Sequence, residues 1–375
     1  MDLKNTILIM SFSAPVFSAL FCIVLLLFKL NKTNTAQLRR LIRLLVFFYT
    51  LLGLFFIIMA LYYFNRMAYL YMVSIDFLSS LLLPVMLYHI IFKLTRVRKQ
   101  EPFPILHYVF PIILYIVHTL WLTFIPLDVK LLLVEKRVFF VEEYEWFSAF
   151  DSFRFFIRAV IGIFYLLLSV KRTRKYQENI INYSADIGQT SLRWVYQIFL
   201  CIIILLPVPL LYYFSKSGST TEYLLIILPN FFTIFLNVVM CYNIFTNNFI
   251  LLTENIVVKQ FKAKDKDKDN SKTNIDRQHF EKYIHEKKPY LEPKLKITDL
   301  TLELGTNRSY LSAFINTNYN MNFSAYINKC RIAELEIMRE DPAYADLPEI
   351  ELIYLSGFSN YRGYKRTKEL FETVS

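Results

Sequence analysis

The side chains of this chain with the most chemistry to offer stand in two places. Asp76, His118, Arg158 and Asn230 lie inside long apolar runs. A charged or strongly polar group inside a membrane span is costly, so it marks a ligand path or a helix-pairing contact by default. Two readings stay open: a polar sensing cavity built on an Asp76–Arg158 pair, or a structural pair holding helices together. The second set flanks two glycines near the C-terminus. Asn307, Arg308, Ser309 and Ser312 follow Gly305; Asn360, Tyr361, Arg362, Lys365 and Arg366 follow Gly357. These residue types hydrogen-bond to base edges and phosphates. No HExxH, GxSxG, phosphate loop or GxGxxG occurs in the sequence, so no enzyme activity is expected. The four cysteines, Cys22, Cys201, Cys241 and Cys330, form no CxxC pair, and neither a metal site, a disulfide framework nor a cofactor is expected.

The elements that must position these residues follow from composition. The chain has 375 residues, 17% of them aromatic and only 7 glycine. Its mean hydropathy is +0.37, which a soluble domain rarely reaches, because polar residues must cover its surface. Disordered, collagen-like and ordinary cytosolic enzyme classes are excluded. Seven runs approach the ~20 apolar residues that a membrane helix needs: 6–30, 41–63, 67–92, 105–127, 153–170, 194–213 and 223–249. The fifth is the weakest, being short and carrying Arg154 and Arg158. With seven spans, the loops on one side hold 14 basic residues and those on the other hold 6. Basic loops mark the cytoplasmic side. The N-terminus is then expected outside, the chain after residue 249 inside, and Asp76, His118, Arg158 and Asn230 in the outer parts of their spans. The net charge of +11 is thus a topology signal.

Residues 262–270 read KAKDKDKDN, which cannot bury a core. They mark 250–275 as a charged linker between a membrane domain at 1–249 and a soluble domain at 276–375. In the soluble part, Ile297, Leu300 and Leu304 make one apolar face, Gly305 suits a helix end, and Thr306 suits an N-cap. Tyr310, Leu311, Phe314 and Ile315 make a second face. Two short helices around a glycine turn form a helix-turn-helix, or else an αα-hairpin that touches only protein. A similar unit surrounds Gly357. A long helical pattern over 323–339 joins the two and would set their spacing. The expected fold is all-α: a seven-helix transmembrane bundle plus a C-terminal double helix-turn-helix.

Three words, LGTNRSYLSAFIN, NFSAYINKCRIAELEIM and SGFSNYRGYKR, appear in that order. Over some 80–100 residues the region resembles the DNA-binding domain of the AraC/XylS family of bacterial transcription regulators. The resemblance implies two helix-turn-helix units on one linker helix, binding promoter DNA. Base contacts concentrate on the first unit, at Asn307, Arg308 and Ser312, with Tyr310 and Leu311 packing. The second unit departs from the family: Tyr364, Arg366 and Lys368 stand where Phe-x-Arg-x-Phe-Lys is usual. Residues 276–375 carry 14 basic and 15 acidic side chains, so any DNA-binding face must come from their segregation, with Arg331 among its members, and a homodimer or the membrane tether must add affinity. The expectation is a membrane-tethered one-component regulator in the bacterial cytoplasmic membrane. Its bundle would sense an extracellular or membrane ligand, and its cytoplasmic domain would bind promoter DNA. The alternative is a receptor or transporter whose helical tail binds protein.

Overall fold

The structure, a computed structural model, describes residues 3–96, 101–136, 141–186, 192–208, 211–212, 215, 219–249 and 275–372. Residues 250–274 of the expected linker lie outside that set. The chain divides into two compact units. The first is Met1–Thr95, Pro102–Thr173 and Arg193–Asn247; the second is Arg96–Glu101, Arg174–Leu192 and Asn248–Ser375. Among the described residues every regular element is helical, apart from one isolated bridge between Ser184 and Lys296.

The first unit contains α1 (Leu3–Lys32), α2 (Ala36–Phe64), α3 (Arg66–Leu94), α4 (Leu106–Thr123), α5 (Leu127–Lys136), most of α6 (Glu145–Ile180), α7 (Arg193–Leu205) and α8 (Thr220–Phe245). Helices α1, α2 and α3 pack in chain order, and α8 packs on α1. The joint between α2 and α3 is a single residue, Asn65, whose side chain accepts a hydrogen bond from the Ala68 amide at 3.0 Å. At the other end of the unit, the Lys29 ammonium donates to the Ile244 and Phe245 carbonyls, each at 2.7 Å. It thereby caps the orphan carbonyls at the C-terminus of α8. Among the described residues six helices, α1, α2, α3, α4, α6 and α8, are long and apolar enough to cross a membrane. They turn large apolar side chains outward: Phe17 is 69% exposed and Phe231 69%. A protein surrounded by water would not tolerate so many exposed aromatic groups, whereas lipid tails solvate them. The chain fits a multi-pass membrane protein.

The helices depart most from the expected spans in three places. The run expected to be weakest, 153–170, lies within α6, which at 36 residues is the longest helix among the described residues. Arg154 and Arg158 are tolerated there because each meets a carboxylate. Within the run expected over 194–213, α7 takes 13 residues, about 20 Å; after a turn at residues 206–207 helical geometry returns at Val208 and at Leu211 and Tyr212, and residues 209, 210 and 213 lie outside the described set. The run 105–127 ends as a helix at Thr123, and α5 begins at Leu127. In the loop expected outside, Val129 and Leu133 of α5 bury against Ile125 and Phe147.

The second unit contains α9 (Arg277–Lys287), α10 (Ile297–Glu303), α11 (Arg308–Tyr319), α12 (Phe323–Glu340), α13 (Glu349–Leu355) and α14 (Tyr361–Glu372). Helices α10 and α11 form one short pair, α13 and α14 a second, and α12 packs against α11 and α13. Each pair turns at a glycine with positive φ, Gly305 at 59° and Gly357 at 98°. After each turn an asparagine caps the next helix. Asn307 accepts from the Tyr310 amide at 2.9 Å, and Asn360 accepts from the Gly363 amide at 2.7 Å. The cap of α11 is therefore Asn307 and not Thr306; both types suit the position, and the structure uses the later one. The apolar faces of α12, α13 and α14 meet in a core of Leu335, Met338, Leu352, Ile353, Phe358 and Tyr364. Phe280, Phe314, Tyr319 and Tyr326 build an aromatic cluster between α9, α11 and α12.

Candidate functional site

Two sites emerge, one in each unit. In the first unit, α3, α4 and α6 bring Asp76, His118 and Arg158 into one polar cluster. The Arg158 Nη2 lies 2.6 Å from Asp76 Oδ2, and Asp76 is fully buried. The Tyr69 hydroxyl donates to the same carboxylate oxygen at 3.4 Å. His118, also fully buried, shares a 2.9 Å hydrogen bond between its Nδ1 and Ser74 Oγ, and its Nε2 lies 3.9 Å from Asp151. Arg154 pairs with Asp151 at 2.5 Å. Both arginines lie against the Phe77 ring, 5.7 Å from its centroid, in cation–π contact.

Two carboxylates and two guanidiniums balance, so the cluster is near neutral, with an imidazole beside it. Asp76 Oδ1, Ser79 Oγ, Arg158 Nε and Arg154 Nη1 are buried without a hydrogen-bond partner. Buried polar groups are normally satisfied, so the cluster has hydrogen-bonding capacity to spare. The sequence pattern does not mark Tyr69, Ser74 or Asp151 as site residues, and it marks Arg154 only as a burden on its span. The spacing of Asp151, Arg154 and Arg158 on one helical face was the available signal. Asn230 does not join the cluster. Its amide donates to Ser11 Oγ at 2.7 Å, tying α8 to α1. Asn237, two turns further on, donates to Ser18 at 2.8 Å in the same way.

One turn from the Asp76–Arg158 pair lies an apolar cavity of about 260 Å³. Ser80, Pro84 and Leu87 line it from α3, and Gly162, Tyr165 and Ser169 from α6. Residues four apart on a helix share a face, so Ser80 continues the stripe of Asp76, and Gly162 that of Arg158. Ser80 and Ser169 spend their hydroxyl protons on Phe77 and Tyr165 carbonyls, which leaves an oily wall.

In the second unit the residues expected to read bases meet different fates. Asn307 is exposed but serves as the helix cap. Ser309 is half-buried. Arg308 is half-buried, its guanidinium 5.1 Å from the centroid of the Tyr183 ring. Ser312 is fully buried and cannot reach a nucleic acid in this conformation, because it lies on the face of α11 that Leu311 and Ile315 turn inward. In the second pair, Tyr361, Arg362 and Lys365 are exposed, Arg366 is half-buried, and Asn360 is engaged as the cap.

Arg331 does not contribute to a basic face either. Among the described residues it is the largest fully buried side chain. Its Nε donates to the Tyr290 carbonyl at 2.7 Å and its Nη2 to the Glu292 carbonyl at 2.7 Å. Burial pushes its pKa down to about 10, an effect opposed by the Asp186 and Glu292 carboxylates. Arg331 is the clamp that holds the 290–293 turn to α12. Among the described residues no cluster of His, Cys, Asp or Glu could hold a metal. In comparisons with known proteins, no family model, no curated protein and no solved structure matches the chain.

Proposed function

We propose that the chain is a membrane-tethered transcription regulator, with a sensing bundle joined to a DNA-binding domain in the bacterial cytoplasm. The observation that carries this reading is the second unit's duplicated architecture. Two short helix pairs, each with a positive-φ glycine and an asparagine cap, flank one 18-residue helix. That is the arrangement two helix-turn-helix units need to address successive grooves, and it supports the AraC/XylS resemblance. The exposed Arg362 and Lys365 supply phosphate contacts, and Arg308 supplies base contacts. The bundle would cross the membrane seven times, with the chain around α7 as the sixth crossing. Its receiving site would be the Asp76–Arg158 cluster. The apolar cavity one turn away suits a ligand with a small polar head and an apolar body.

The test uses the chain of residues 1–375 in lipid nanodiscs, selecting from a randomised duplex pool. One enriched sequence is expected. Arg308→Ala weakens binding to that sequence by about 1–3 kcal/mol while changing non-specific binding little. A pool with no enrichment, for the wild type and for Tyr183→Ala alike, would sink the reading. A second reading has its own support. Leu302 is 84% exposed, Leu370 54% and Tyr354 47%, apolar side chains that protein contact would cover. They fit either a second copy of the chain or a protein-binding tail on a receptor or transporter.

A further inference from the structure

The second unit is not built from the C-terminal sequence alone. Residues 174–192, which follow the apolar part of α6, belong to it. The expected partition assigned them to the membrane domain. Tyr183, Ser184, Ala185 and Asp186 are all buried. The Ala185 amide donates to the Leu295 carbonyl at 3.1 Å, and the Ile297 amide donates to the Tyr183 carbonyl at 3.0 Å. The Ser324 amide donates to the Ile181 carbonyl at 3.0 Å, and the Asn328 side chain donates to the Ala185 carbonyl at 3.0 Å. The strap therefore reaches the start of α10 and the first turns of α12.

Its side chains reach further, to both helix pairs. The Tyr183 ring stacks against the Arg308 guanidinium at the first residue of α11. The Asp186 carboxylate accepts from Ser359 Oγ at 3.1 Å, in the turn that enters α14. Arginine on an aromatic face is a stable, desolvated arrangement. A carboxylate at a helix entrance occupies the kind of place where a phosphate would be received. One short segment thus engages the first residue of one candidate reading helix and the turn ahead of the other.

We propose that residues 181–186 are an intramolecular mask: docked, they hold Arg308 beneath Tyr183 and keep the domain from DNA, and a change in α6 releases them. The proposal rests on the DNA-binding reading and names its regulation. Covalent continuity supplies the coupling. The strap begins where α6 ends, and α6 carries Arg158 and the cavity-lining Gly162, Tyr165 and Ser169. The signal then travels through α6, with no need of the charged linker after α8. Six hydrogen bonds, the burial of Tyr183 to Asp186 and one cation–π contact hold the strap, so docked and released are two discrete states, and a ligand shifts their populations by binding one of them better.

Ser184 and Lys296 face each other as a non-hydrogen-bonded antiparallel pair, since the flanking amides and carbonyls make the two bonds. Such a pair brings the side chains close enough for a disulfide. The test is the full chain with Ser184→Cys and Lys296→Cys in nanodiscs, with the wild type treated in parallel to account for its own cysteines. The probe is the duplex enriched in the selection above. Mild oxidation is expected to close the disulfide without DNA and to lower affinity for the duplex at least tenfold, and reductant restores it. Tyr183→Ala, which frees Arg308, is expected to bind severalfold more tightly than the wild type. A cross-linked chain that binds as tightly as its reduced form, or more tightly, overturns the mask while leaving DNA recognition standing. Failure of the pair to cross-link overturns the docked strap itself. If neither the reduced chain nor Tyr183→Ala binds any duplex, the DNA-binding reading falls and takes the mask with it.

Discussion

Gly357→Ala is expected to unfold or severely loosen the second unit, whereas Gly305→Ala leaves it folded. Both glycines sit at positive φ, and both open the turn of a helix pair, so sequence inspection treats them alike. Their surroundings do not. A Cβ on Gly305 meets nothing within 4 Å, so alanine there costs the left-handed backbone strain of about 1–2 kcal/mol and no steric clash. A Cβ on Gly357, at φ 98°, would stand 2.3 Å from the Tyr290 carbonyl oxygen, 2.8 Å from the Leu291 Cα and 3.1 Å from Arg331 Nε. Two of those atoms are backbone, and the third belongs to the buried guanidinium that the Tyr290 carbonyl accepts from.

Relief of the clash must move the 290–293 turn away from α12. That breaks the hydrogen bonds that satisfy a buried cation, a class of loss that costs about 3–5 kcal/mol, on top of about 1–3 kcal/mol of overpacking. Against a domain stability of about 5–15 kcal/mol, the sum is decisive. Urea titration of the full chain in nanodiscs, read by proteolysis at sites after residue 275, measures both variants. Gly357→Ala with the wild-type midpoint would mean that the turn and Arg331 do not meet as described.

That contrast shows where the sequence is legible. The two glycines and the apolar faces of α10, α11 and α12 are local signals, and these carry across, whereas the caps fall on Asn307 and Asn360, read from the sequence as DNA contacts, and not on Thr306. So does hydropathy: the described spans lie where the apolar runs lie. What hydropathy misreads is compensation. Arg154 and Arg158 count against a span when each is weighed alone. Asp151 one turn before Arg154, and Asp76 across the bundle, remove the penalty and allow α6 to become the longest of the described helices. Facing is the second difficulty. Ser312 and Arg308 share a short helix, but only packing from elsewhere decides that one is buried and the other lies against Tyr183. Asn230 was grouped with Asp76 by depth in the bilayer, yet it turns toward Ser11, because depth says nothing of rotation about the helix axis. The strap had no sequence signal at all. An irregular segment that pairs its backbone with residues more than a hundred positions away is invisible to periodicity, and its few side chains are of ordinary types.

Removing one member of the Asp76–Arg158 pair is expected to damage the bundle asymmetrically. Asp76 is fully buried, while the Arg158 side chain keeps 29% of its surface exposed. Arg158→Met leaves a carboxylate with only the 3.4 Å contact to the Tyr69 hydroxyl, in a setting where neither water nor lipid can solvate it. An unpaired buried charge of this kind costs about 3–5 kcal/mol, and a large drop in melting temperature in nanodiscs is expected. Asp76→Asn leaves a longer, partly exposed cation that can extend toward the interface, and it retains the Phe77 ring beneath it. Its loss is expected to be about 1–2 kcal/mol, at the lower end of the cost of a broken charged hydrogen bond. The double variant Asp76→Leu with Arg158→Met removes both charges, and a buried pair replaced by apolar groups is often neutral or stabilising by about 1–4 kcal/mol. It should recover most of the stability lost by Arg158→Met. This double variant also separates the two readings of the cluster that the sequence left open. Asp76 and Arg158 stand one turn from the cavity, with unsatisfied atoms on both, so a purely structural pair and a receiving site differ in only one respect. The structural pair is replaceable without consequence, whereas loss of a receiving site leaves a folded protein whose transcriptional output no longer changes. A double variant that melts like the wild type and keeps the wild-type transcript profile would assign the pair to packing alone. Single variants that melt equally would show that Asp76 is not buried as described.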